Sequence, residues 1–441
     1  MVRFKGSLSQ WLQYISTQHD KEIALGLDRS IEVAQRLGVL PLAPRQLIVA
    51  GTNGKGSTVR FSESLLLAQG YKVGAVLSPH LHRYNERVRL NGSEASDDLL
   101  VAGFEAVEAA RGDIPLTYYE YSVLGAFWVF KQAGLDACLL EVGLGGRLDT
   151  TNIIDADVAA VTSIGLDHQN FLGDTLELIG AEKAAVCRPG RPLLLGGQMP
   201  ESVYRVAEAS GAVTERFGWD FWYQRTAQSA VLRLNGGDLS VPAPGEPGIA
   251  WRNAVLACAC VQKLTRVPSP EEFRRACEIT FHPGRFEVFN YRHRTLVVDV
   301  AHNPDSARFL RSQLRARWPN NRLVAVCGFL VDKDVAGIVC ELVEDIDHWL
   351  FVSTKGSRGL AAEEAAERSK AGLISGRTGP EVSQVVMPDV DRALQKAHAV
   401  TDRADIIVAF GSFMHVEQVR ELLLTPDRSP PDLMVAERMN E

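Results

Sequence analysis

The sequence predicts an α/β protein built around a mostly parallel sheet. Short apolar runs with strand character alternate with amphipathic helical segments along most of the chain. A glycine-rich turn joins one of these runs, residues 46–50, to the start of a helix. The strand and helix rhythm resumes on a smaller scale after residue 285. Right-handed crossovers between parallel strands bring the carboxyl ends of the strands to one edge, where ligands bind.

Length and composition narrow the class of protein. At 441 residues the chain exceeds one typical core, so two or three domains are expected. A net charge of −7 provides no basic footprint for nucleic acid. No apolar run reaches about 18 residues, so no membrane span is expected. Seven cysteines without a CxxC pair indicate buried thiols in a reducing cytoplasm. No apolar interface stripe stands out, so we expect a monomer.

The first predicted domain, residues 1–285, has a regular order of elements up to about residue 190. Ser96 is predicted to cap one helix, and Gly70 to end the helix that follows the glycine-rich turn. Residues 192–250 have an irregular pattern with only short strand-like pieces. We expect strands over 46–50, 71–77, 136–142 and 158–164, and helices over 7–18, 28–37, 55–69, 97–110, 121–132, 174–186, 252–264 and from about 270.

The second predicted domain, residues 286–425, is a smaller α/β unit without a phosphate loop of its own. The break at His282-Pro283-Gly284-Arg285 marks the boundary. Residues 426–441, rich in proline and charge, are predicted to form a flexible tail. Strands are expected over 295–300, 322–327, 347–352 and 405–410, with helices between them.

The glycine-rich turn has the composition of a nucleotide-phosphate site. Glycines let several backbone N–H groups face one anion, and the helix N-terminus and a lysine add positive charge. The spacing differs from the general P-loop, because two residues separate the first two glycines and a third glycine follows the lysine. The alternative is a turn that binds nothing. The candidate residues are Gly51, Thr52, Asn53, Gly54, Lys55, Gly56, Ser57 and Thr58.

Polar residues end the neighbouring predicted strands. Ser78, Glu141 and His168 each come at the end of a predicted strand. A carboxylate at a strand end, downstream of a P-loop in the sequence, can bind Mg²⁺. Because Mg²⁺ prefers oxygen, His168 is either a ligand or a loop histidine with a hydrogen bond. Lys183 lies on an otherwise apolar helix, where the pattern alone favours a solvated surface charge.

Three residues near the boundary suggest that the second domain also contacts the nucleotide. Alone, Arg285 is a turn arginine and Asp299 accepts hydrogen bonds at a strand end. Together with His302 and the P-loop, they suggest a second lip that closes over a nucleotide.

Several motifs in order resemble one family, from residue 51 to residue 413. The chain is similar to the folylpolyglutamate synthase and dihydrofolate synthase family, in its bifunctional bacterial form, a branch of the Mur-ligase-like ATP-dependent amide ligases. The glycine after Lys55 is typical of that family. The matching segments are GTNGKGST at 51–58, SPHL at 78–81, ERVRLNG at 86–92, TYYE at 117–120, EVGLGGRLDTTN at 141–152, GLDH at 165–168, EKA at 182–184, PGRFE at 283–287, DVAHNP at 299–304 and GSF at 411–413.

The resemblance implies a P-loop ATPase domain followed by a smaller Rossmann-like domain, with ATP and two Mg²⁺ ions. Gly54, Lys55, Gly56 and Ser57 would hold the ATP phosphates. Ser78, Glu141 and His168 would ligate magnesium, and Lys183 would be a further ligand after carbamylation. Asn253, Arg285, Asp299 and His302 would contact the nucleotide, and Thr117, Tyr119 and Asp149 the folate.

The implied reaction joins L-glutamate to dihydropteroate and to the γ-carboxylate of reduced folates. ATP would activate the acceptor as an acyl phosphate and would leave as ADP and phosphate. Two other functions stay open at this point. One is a Mur-type peptide ligase of cell-wall synthesis, and the other is a P-loop nucleotide switch without ligation.

Overall fold

A computed structural model describes residues 4–21, 23–226, 228–242, 248–375 and 382–425. The chain divides into two compact units, Met1–His282 and Pro283–Glu441. The predicted α/β class with mostly parallel sheets is confirmed. The sequence placed its domain boundary after residue 285. Its predicted tail, 426–441, lies outside the described residues.

The described residues of the first unit form an eight-stranded sheet and a separate three-stranded sheet. Two 3-10 turns, Tyr84–Arg87 and Thr150–Ile153, lie in its loops. The strands are β1 Gln46–Ala50, β2 Val73–Val76, β3 Val88–Leu90, β4 Ser93–Glu94, β5 Ala137–Glu141, β6 Val158–Val161, β7 Pro192–Leu195, β8 Val213–Arg216, β9 Trp222–Arg225, β10 Ser229–Arg233 and β11 Leu239–Pro242. The helices are α1 Leu8–Ile15, α2 Asp28–Leu37, α3 Lys55–Ala68, α4 Asp97–Arg111, α5 Tyr118–Ala133, α6 Gln169–Leu172, α7 Leu176–Ala184, α8 Glu201–Ser210, α9 Trp251–Leu264 and α10 Pro270–Ile279.

Strand β1 is the centre of the larger sheet, whose order is β4-β3-β2-β5-β1-β6-β7-β8. All pairs from β2 to β8 are parallel, and β3 and β4 add an antiparallel edge. Every residue of β1 is buried. Leu47 and Val49 pack on the side of α3 and α9, whereas Ile48 and Ala50 face the core beneath α4 and α5. Alternation along one strand therefore builds both layers of the core.

Local chemistry explains where several helices begin. Ser96 caps α4, as predicted, and its Oγ accepts a hydrogen bond from Leu99 N at 3.3 Å. Helix α5 begins at Tyr118, three residues before the predicted start, because Thr117 and Glu120 form a capping box. Gly70, with φ of +88°, follows the end of α3.

The region from residue 192 is more regular than the sequence suggested. Strand β7, helix α8 and strand β8 continue the parallel sheet, with β7 paired to β6 and β8 paired to β7. Strands β9 to β11 form the antiparallel three-stranded sheet. Residues 193–195 of β7 are fully buried. The apolar run is only four residues long, so its periodicity gave little indication of a strand.

The described residues of the second unit form a six-stranded sheet in the order β12-β13-β17-β14-β15-β16. Only β12 is antiparallel to its neighbour. All four predicted strands are present, and the two edge strands, β12 and β16, were missed. The strands are β12 Glu287–Tyr291, β13 Arg294–Asp299, β14 Leu323–Cys327, β15 Ile346–Val352, β16 Ser383–Met387 and β17 Ile406–Phe410; the helices are α11 Pro304–Arg317, α12 Val335–Leu342, α13 Ala362–Ser375, α14 Val390–Ala399 and α15 Phe413–Leu424.

All seven cysteines are in the described part of the chain and are free thiols, six of them buried. Within the same residues, no helix combines the length and the apolar character that crossing a bilayer requires.

A buried ion-pair cluster ties α3 to the edge of the larger sheet. Glu63 is 1 % exposed and lies 2.6 Å from Arg60 Nη1 and 3.0 Å from Arg89 Nε. Arg89 is in strand β3, within one of the motifs noted in the sequence. Glu63 therefore neutralises two poorly solvated guanidinium groups at once.

Glu63→Ala should lower the free energy of unfolding by about 3–5 kcal/mol, because it leaves two guanidinium groups without a counter-charge. Urea denaturation followed by tryptophan fluorescence measures this loss. Glu32→Ala is the matched control, since its pair with Arg36 is largely exposed and is expected to contribute about 0–1 kcal/mol. Equal losses in the two variants would contradict the role given to Glu63.

Candidate active site

Four neighbouring strands end in the polar residues that the sequence singled out. The strands lie in the order β2-β5-β1-β6 and are parallel. Ser78 follows β2, Glu141 ends β5, the P-loop follows β1, and His168 follows β6. Because parallel neighbours share one carboxyl edge, the structure brings these segments together as predicted.

The P-loop is packed so closely that side chains do not fit at two of its glycines. Gly51 has φ of +139°, and a Cβ there would lie 1.9 Å from Thr162 Oγ1. Gly54 has φ of +91°, and a Cβ there would lie 2.8 Å from both side-chain amide atoms of Asn253. Asn253, near the start of α9, is therefore next to the loop that it was predicted to serve.

Hydroxyl groups after β6 hold the P-loop in place, and sequence reasoning missed them. Asn53 N donates to Ser163 Oγ at 3.1 Å, and Thr162 Oγ1 donates to Asn53 O at 2.7 Å. Thr52 N donates to Ser163 O at 2.8 Å, and its hydroxyl donates to Gly165 O at 3.1 Å. The signal that was available is the position of Thr162 and Ser163 directly after a buried strand.

Gly56 allows the carboxylate of Glu141 to approach the first turn of α3. A Cβ at Gly56 would lie 3.1 and 3.3 Å from the two carboxylate oxygens, and 2.9 Å from His282 Cε1. Glu141 Oε2 also accepts a hydrogen bond from Ser78 N at 2.9 Å. A side chain at the glycine that departs from the general P-loop pattern would therefore crowd both His282 and the acid.

The two hydroxyls after Gly56 differ in their surroundings. Thr58 Oγ1 donates to Gly54 O at 2.9 Å, so this hydroxyl bonds back to its own helix. Ser57 Oγ lies 3.3 Å from His282 Nδ1. His282 is a second neighbour of the P-loop that the sequence did not reveal, since it lies more than 200 residues away in the chain.

The donor set at this edge fits a hard divalent cation. Glu141 is only 6 % exposed, and a carboxylate so poorly solvated needs compensating positive charge. Its oxygens and the Ser78 hydroxyl are ligands that Mg²⁺ prefers. His168 has φ of +53°, a left-handed conformation that is uncommon outside glycine and concentrates at functional positions.

Lys183 is buried, so the expectation of a solvated surface charge is wrong. It is 4 % exposed, and its Nζ donates to Gly51 O at 3.0 Å. Lys55 Nζ donates to the same oxygen at 3.1 Å. Helix α7 turns this side chain inward because it packs on the loop after β5, where a Cβ at Gly146 would lie 2.7 Å from Glu182 O. The sequence of α7 contains no signal for that tertiary contact.

The amine of Lys183 is electrostatically unusual. Burial, and after it the positive charge of Lys55, lower the pKa of Lys183 to about 7. Asp167 and Asp149 act in the opposite direction with smaller effects. A large neutral fraction near pH 7 gives this lysine the reactivity of a free amine.

Two of the three predicted folate residues, Tyr119 and Asp149, are hydrogen-bonded to each other. Tyr119 OH donates to Asp149 Oδ1 at 3.0 Å and accepts from Gly143 N at 3.0 Å. Thr117 caps the helix that carries Tyr119. Asp149 Oδ2 accepts from Gly143 N and Leu144 N at 3.0 and 2.9 Å.

Asp149 is saturated by donors from its own chain. Its Oδ1 also accepts from Thr151 N at 2.9 Å and from Thr151 Oγ1 at 2.6 Å. Burial raises the pKa of Asp149, while these hydrogen bonds favour the ionised form and oppose that rise. The carboxylate therefore fixes the loop that begins two residues after Glu141. Contact with a folate stays a prediction for Thr117, Tyr119 and Asp149.

An imidazole next to Ser78 also escaped the sequence reasoning. His80 Nδ1 lies 2.7 Å from Arg87 Nε and accepts its hydrogen bond. Burial, and then the charge of Arg87, lower the pKa of His80 to about 4. The ring is therefore neutral near pH 7, with its remaining proton on Nε2.

Two of the three predicted residues in the second unit, Arg285 and His302, lie near one aromatic ring, that of Phe413. The Arg285 guanidinium lies 4.9 Å from the centre of the Phe413 ring, and the His302 ring lies 6.0 Å from it. Asp299 accepts hydrogen bonds from Phe286 N and Ala301 N, both at 2.8 Å. Burial raises the pKa of Asp299, and Arg285 lowers it. His302 Nδ1 donates to Val300 O at 2.8 Å.

The chain is similar to a Mur ligase family model and to two dihydrofolate synthase/folylpolyglutamate synthases. Residues 284–413 match the family model described as Mur ligase, glutamate ligase domain. A dihydrofolate synthase/folylpolyglutamate synthase of Escherichia coli is 43 % identical over 418 residues, covering 94 % of this chain and 95 % of the relative. One of the same name from Haemophilus influenzae is 37 % identical over 434 residues, covering 93 % and 96 %.

Solved structures agree. Escherichia coli FolC in complex with DHPP and ADP superposes with a TM-score of 0.88 at 41 % identity, covering 94 % of this chain and 97 % of that one. The Yersinia pestis bifunctional folylpolyglutamate synthase/dihydrofolate synthase, complexed with AMPPNP and Mn ion, gives 0.85 at 40 % identity, with 94 % and 97 % covered. A bifunctional enzyme with Mn, AMPPNP and L-glutamate bound gives 0.84 at 40 % identity, with the same coverage.

The lowered pKa of Lys183 predicts a pH dependence of stability. Between pH 7 and the ordinary lysine value of 10.5, the unfolded chain holds a proton at Lys183 that the folded chain has lost. Stability should therefore rise with pH through this window, by at most about 1.4 kcal/mol per pH unit from this group.

Unfolding free energies of the wild type and Lys183→Met, measured from pH 7 to 9 in carbonate-free buffer without nucleotide, isolate that contribution. Their difference should become more favourable to the wild type as pH rises. Lys370→Met is the control, because Lys370 is exposed. A pH-independent difference for Lys183→Met would contradict the assignment.

Proposed function

The chain belongs to the dihydrofolate synthase/folylpolyglutamate synthase family, and we propose that it joins L-glutamate to folate-type carboxylic acids at the expense of ATP. The acceptors are dihydropteroate and the γ-carboxylate of reduced folates. The observation that carries this proposal is the P-loop packed directly against the strand-end carboxylate of Glu141. Relatives of the same architecture bind nucleotide, DHPP or L-glutamate.

The P-loop supplies the phosphate-binding part of the reaction. The glycine-rich end of the loop and the N-terminus of α3 would face an anion, whereas the N–H groups of Thr52 and Asn53 already donate to Ser163. Lys55 contributes a positive charge. Lys55 Nζ bonds to Gly51 O and Thr52 O at 3.1 and 3.2 Å, which keeps it folded over the loop. The hydroxyl groups of Thr162 and Ser163 hold the loop rigid, so little rearrangement is needed when phosphate binds.

Glu141, Ser78 and His168 are proposed to hold magnesium, with two ions expected in the site. When bound, magnesium neutralises charge on the phosphates and on the acyl phosphate. Lys183 is proposed to join this set after carbamylation. Its largely neutral amine attacks CO₂, a new N–C bond forms, and one proton is lost to solvent. The product is a carbamate, so a buried cation becomes an oxygen ligand of the kind that a hard metal prefers.

The chemistry follows from the poor reactivity of a carboxylate toward amines. Transfer of the γ-phosphoryl group from ATP to the acceptor carboxylate yields an acyl phosphate, whose leaving group is phosphate rather than hydroxide. The glutamate amine then attacks the carbonyl carbon, loses a proton and displaces phosphate. The chain positions these groups and offsets their charge.

Other residues are proposed to select and orient the substrates. Asn253 beside the P-loop, and Arg285, Asp299 and His302 in the second unit, are proposed to contact the nucleotide. Thr117, Tyr119 and Asp149 are proposed to face the folate, and the last two are hydrogen-bonded to each other. Monomeric state and cytoplasmic location, both inferred from the sequence, stay predictions.

The decisive assay incubates the purified chain with ATP, Mg²⁺ and glutamate, together with dihydropteroate or tetrahydrofolate in turn. Both acceptors should yield an amide product, with one ADP released per bond formed. Release of ADP should require the acceptor and glutamate together. ATP turnover that is independent of both would indicate a nucleotide switch, and product from only one acceptor would limit the proposal to that activity.

Lys55→Ala should lower kcat/KM for ligation by about 100-fold or more, because a charge that stabilises the transferring phosphoryl group is lost. Steady-state kinetics with saturating acceptor measure the effect. Lys72→Ala is the control, since Lys72 is an exposed lysine at the start of the next strand region. Normal ligation by Lys55→Ala would contradict the assignment of the phosphate site to this loop.

Carbamylation of Lys183 can be tested independently of turnover. Wild-type protein exchanged into ¹³C-bicarbonate should show a carbamate carbon signal by NMR, and Lys183→Arg should lack it. Ligation by the wild type should fall in CO₂-free buffer and return when bicarbonate is added. The absence of the carbamate signal from fully active wild type would exclude the modification.

A further inference from the structure

The backbone around Arg285 is held on both sides by carboxylates, and only one of these was foreseen. On the C-terminal side, Asp299 Oδ2 accepts from Phe286 N at 2.8 Å. On the N-terminal side, Glu287 Oε2 accepts from Gly284 N at 2.6 Å. The two peptide N–H groups that flank Arg285 therefore each bond to an acid.

Glu287 is itself held by a residue far along the chain. Arg420, in helix α15, lies with Nε 2.7 Å from Glu287 Oε2, and its Nη2 donates to Oε1 at 3.1 Å. The two side chains are only 7 % and 8 % exposed. One hydrogen bond and a second close N–O contact at this depth restrict the direction of the carboxylate as well as neutralising its charge.

The turn that carries Arg285 is conformationally strained. Gly284 has φ of +69° and Phe286 has φ of +48°, so both neighbours of Arg285 are left-handed. For a phenylalanine this conformation is unfavourable, because its Cβ lies too close to the following carbonyl oxygen. It is held by the bond to Asp299 and by stacking of Phe286 on Trp318, with ring centres 6.2 Å apart. Strain that several contacts impose on one short turn is typical of a functional position.

Helix α15 reaches this turn in two places. Its first residue, Phe413, lies against the Arg285 guanidinium, and Arg420, two turns later, holds Glu287. One rigid helix thus sets both the backbone before Arg285 and the face on which its side chain rests.

We propose that Arg420 and Glu287 are positioning residues for Arg285, and that they act through the hydrogen bond from Gly284 N to Glu287. This inference rests on the proposed function, in which Arg285 contacts the nucleotide. Neither residue needs to touch a substrate. They affect catalysis by setting the direction in which the Arg285 side chain leaves the backbone.

The test separates the acceptor role of residue 287 from the stability of the ion pair. Glu287→Met with Arg420→Met removes both charges, and replacing a buried pair by apolar side chains is often neutral for folding. Glu287→Gln with Arg420→Gln also removes both charges but keeps a carbonyl oxygen for Gly284 N. Glu287→Arg with Arg420→Glu keeps an ion pair but leaves residue 287 without an acceptor.

The Met/Met and Arg/Glu variants should raise the KM for ATP by at least about tenfold, as expected when a contact to a charged ligand is lost. The KM values for glutamate and for the folate-type acceptor should stay near wild type. The Gln/Gln variant should keep the wild-type KM for ATP. A purely structural pair would instead lower the melting temperature and the active fraction without changing any KM, so thermal unfolding is measured in parallel.

A wild-type KM for ATP in a folded Met/Met or Arg/Glu variant would overturn the proposal, and so would a Gln/Gln variant as impaired as Met/Met. Arg308→Met, which breaks an exposed ion pair with Glu341 in the same unit, is the control and should leave all KM values unchanged. Arg285→Met should reproduce the defect of the Met/Met variant.

Failure of the proposed function would give a different result. A wild-type chain that binds ADP in equilibrium dialysis but forms no amide would reject ligation, and the dissociation constants of the same variants for ADP would still test the positioning role. Normal ADP affinity in Arg285→Met, in a chain that still forms the amide, would reject the nucleotide contact of Arg285 and this inference with it, but not ligation.

Discussion

The candidate active site depends on how closely backbone segments approach one another around the P-loop. A Cβ at Gly51 or Gly54 would collide with Thr162 or Asn253, and a Cβ at Gly56 would crowd His282 and Glu141. Residues directly after β6, in α9 and at the end of β5 therefore pack against the loop and restrict its conformation. Close packing of this kind leaves the phosphate-binding N–H groups preorganised, which is where electrostatic stabilisation is most effective.

Two lysine side chains, Lys55 and Lys183, lie close together behind this loop. Lys55 and Lys183 share one carbonyl acceptor, Gly51 O. Two ammonium groups so close to each other are unfavourable, which is one reason why Lys183 titrates near neutrality. Converting Lys183 to an anion would relieve that repulsion and would add negative charge where a metal ion needs it. Burial and this repulsion together lower the pKa of Lys183, and the proposed carbamylation would relieve the repulsion.

The fold and the motif positions were largely accessible from the sequence, because strand β1, helix α3 and the strand-end residues Ser78, Glu141 and His168 are local signals. What depends on tertiary contact was not. The burial of Lys183 arises from the packing of α7 on a glycine-rich loop, and Thr162 and His282 reach the P-loop from distant segments. The ion pair of Arg420 with Glu287 also depends on tertiary contact, since the two residues are 133 positions apart in the chain.

The five hydrogen bonds that saturate Asp149 have a consequence for how this enzyme family can change its acceptor. Asp149 and Tyr119 both bond to the peptide N–H of Gly143, two residues after Glu141. A substitution at either residue would also disturb the peptide that follows Glu141, the carboxylate proposed to hold magnesium. Under the proposed assignments acceptor range and metal geometry are mechanically linked, and new acceptors would be reached more readily through changes in side chains outside this network.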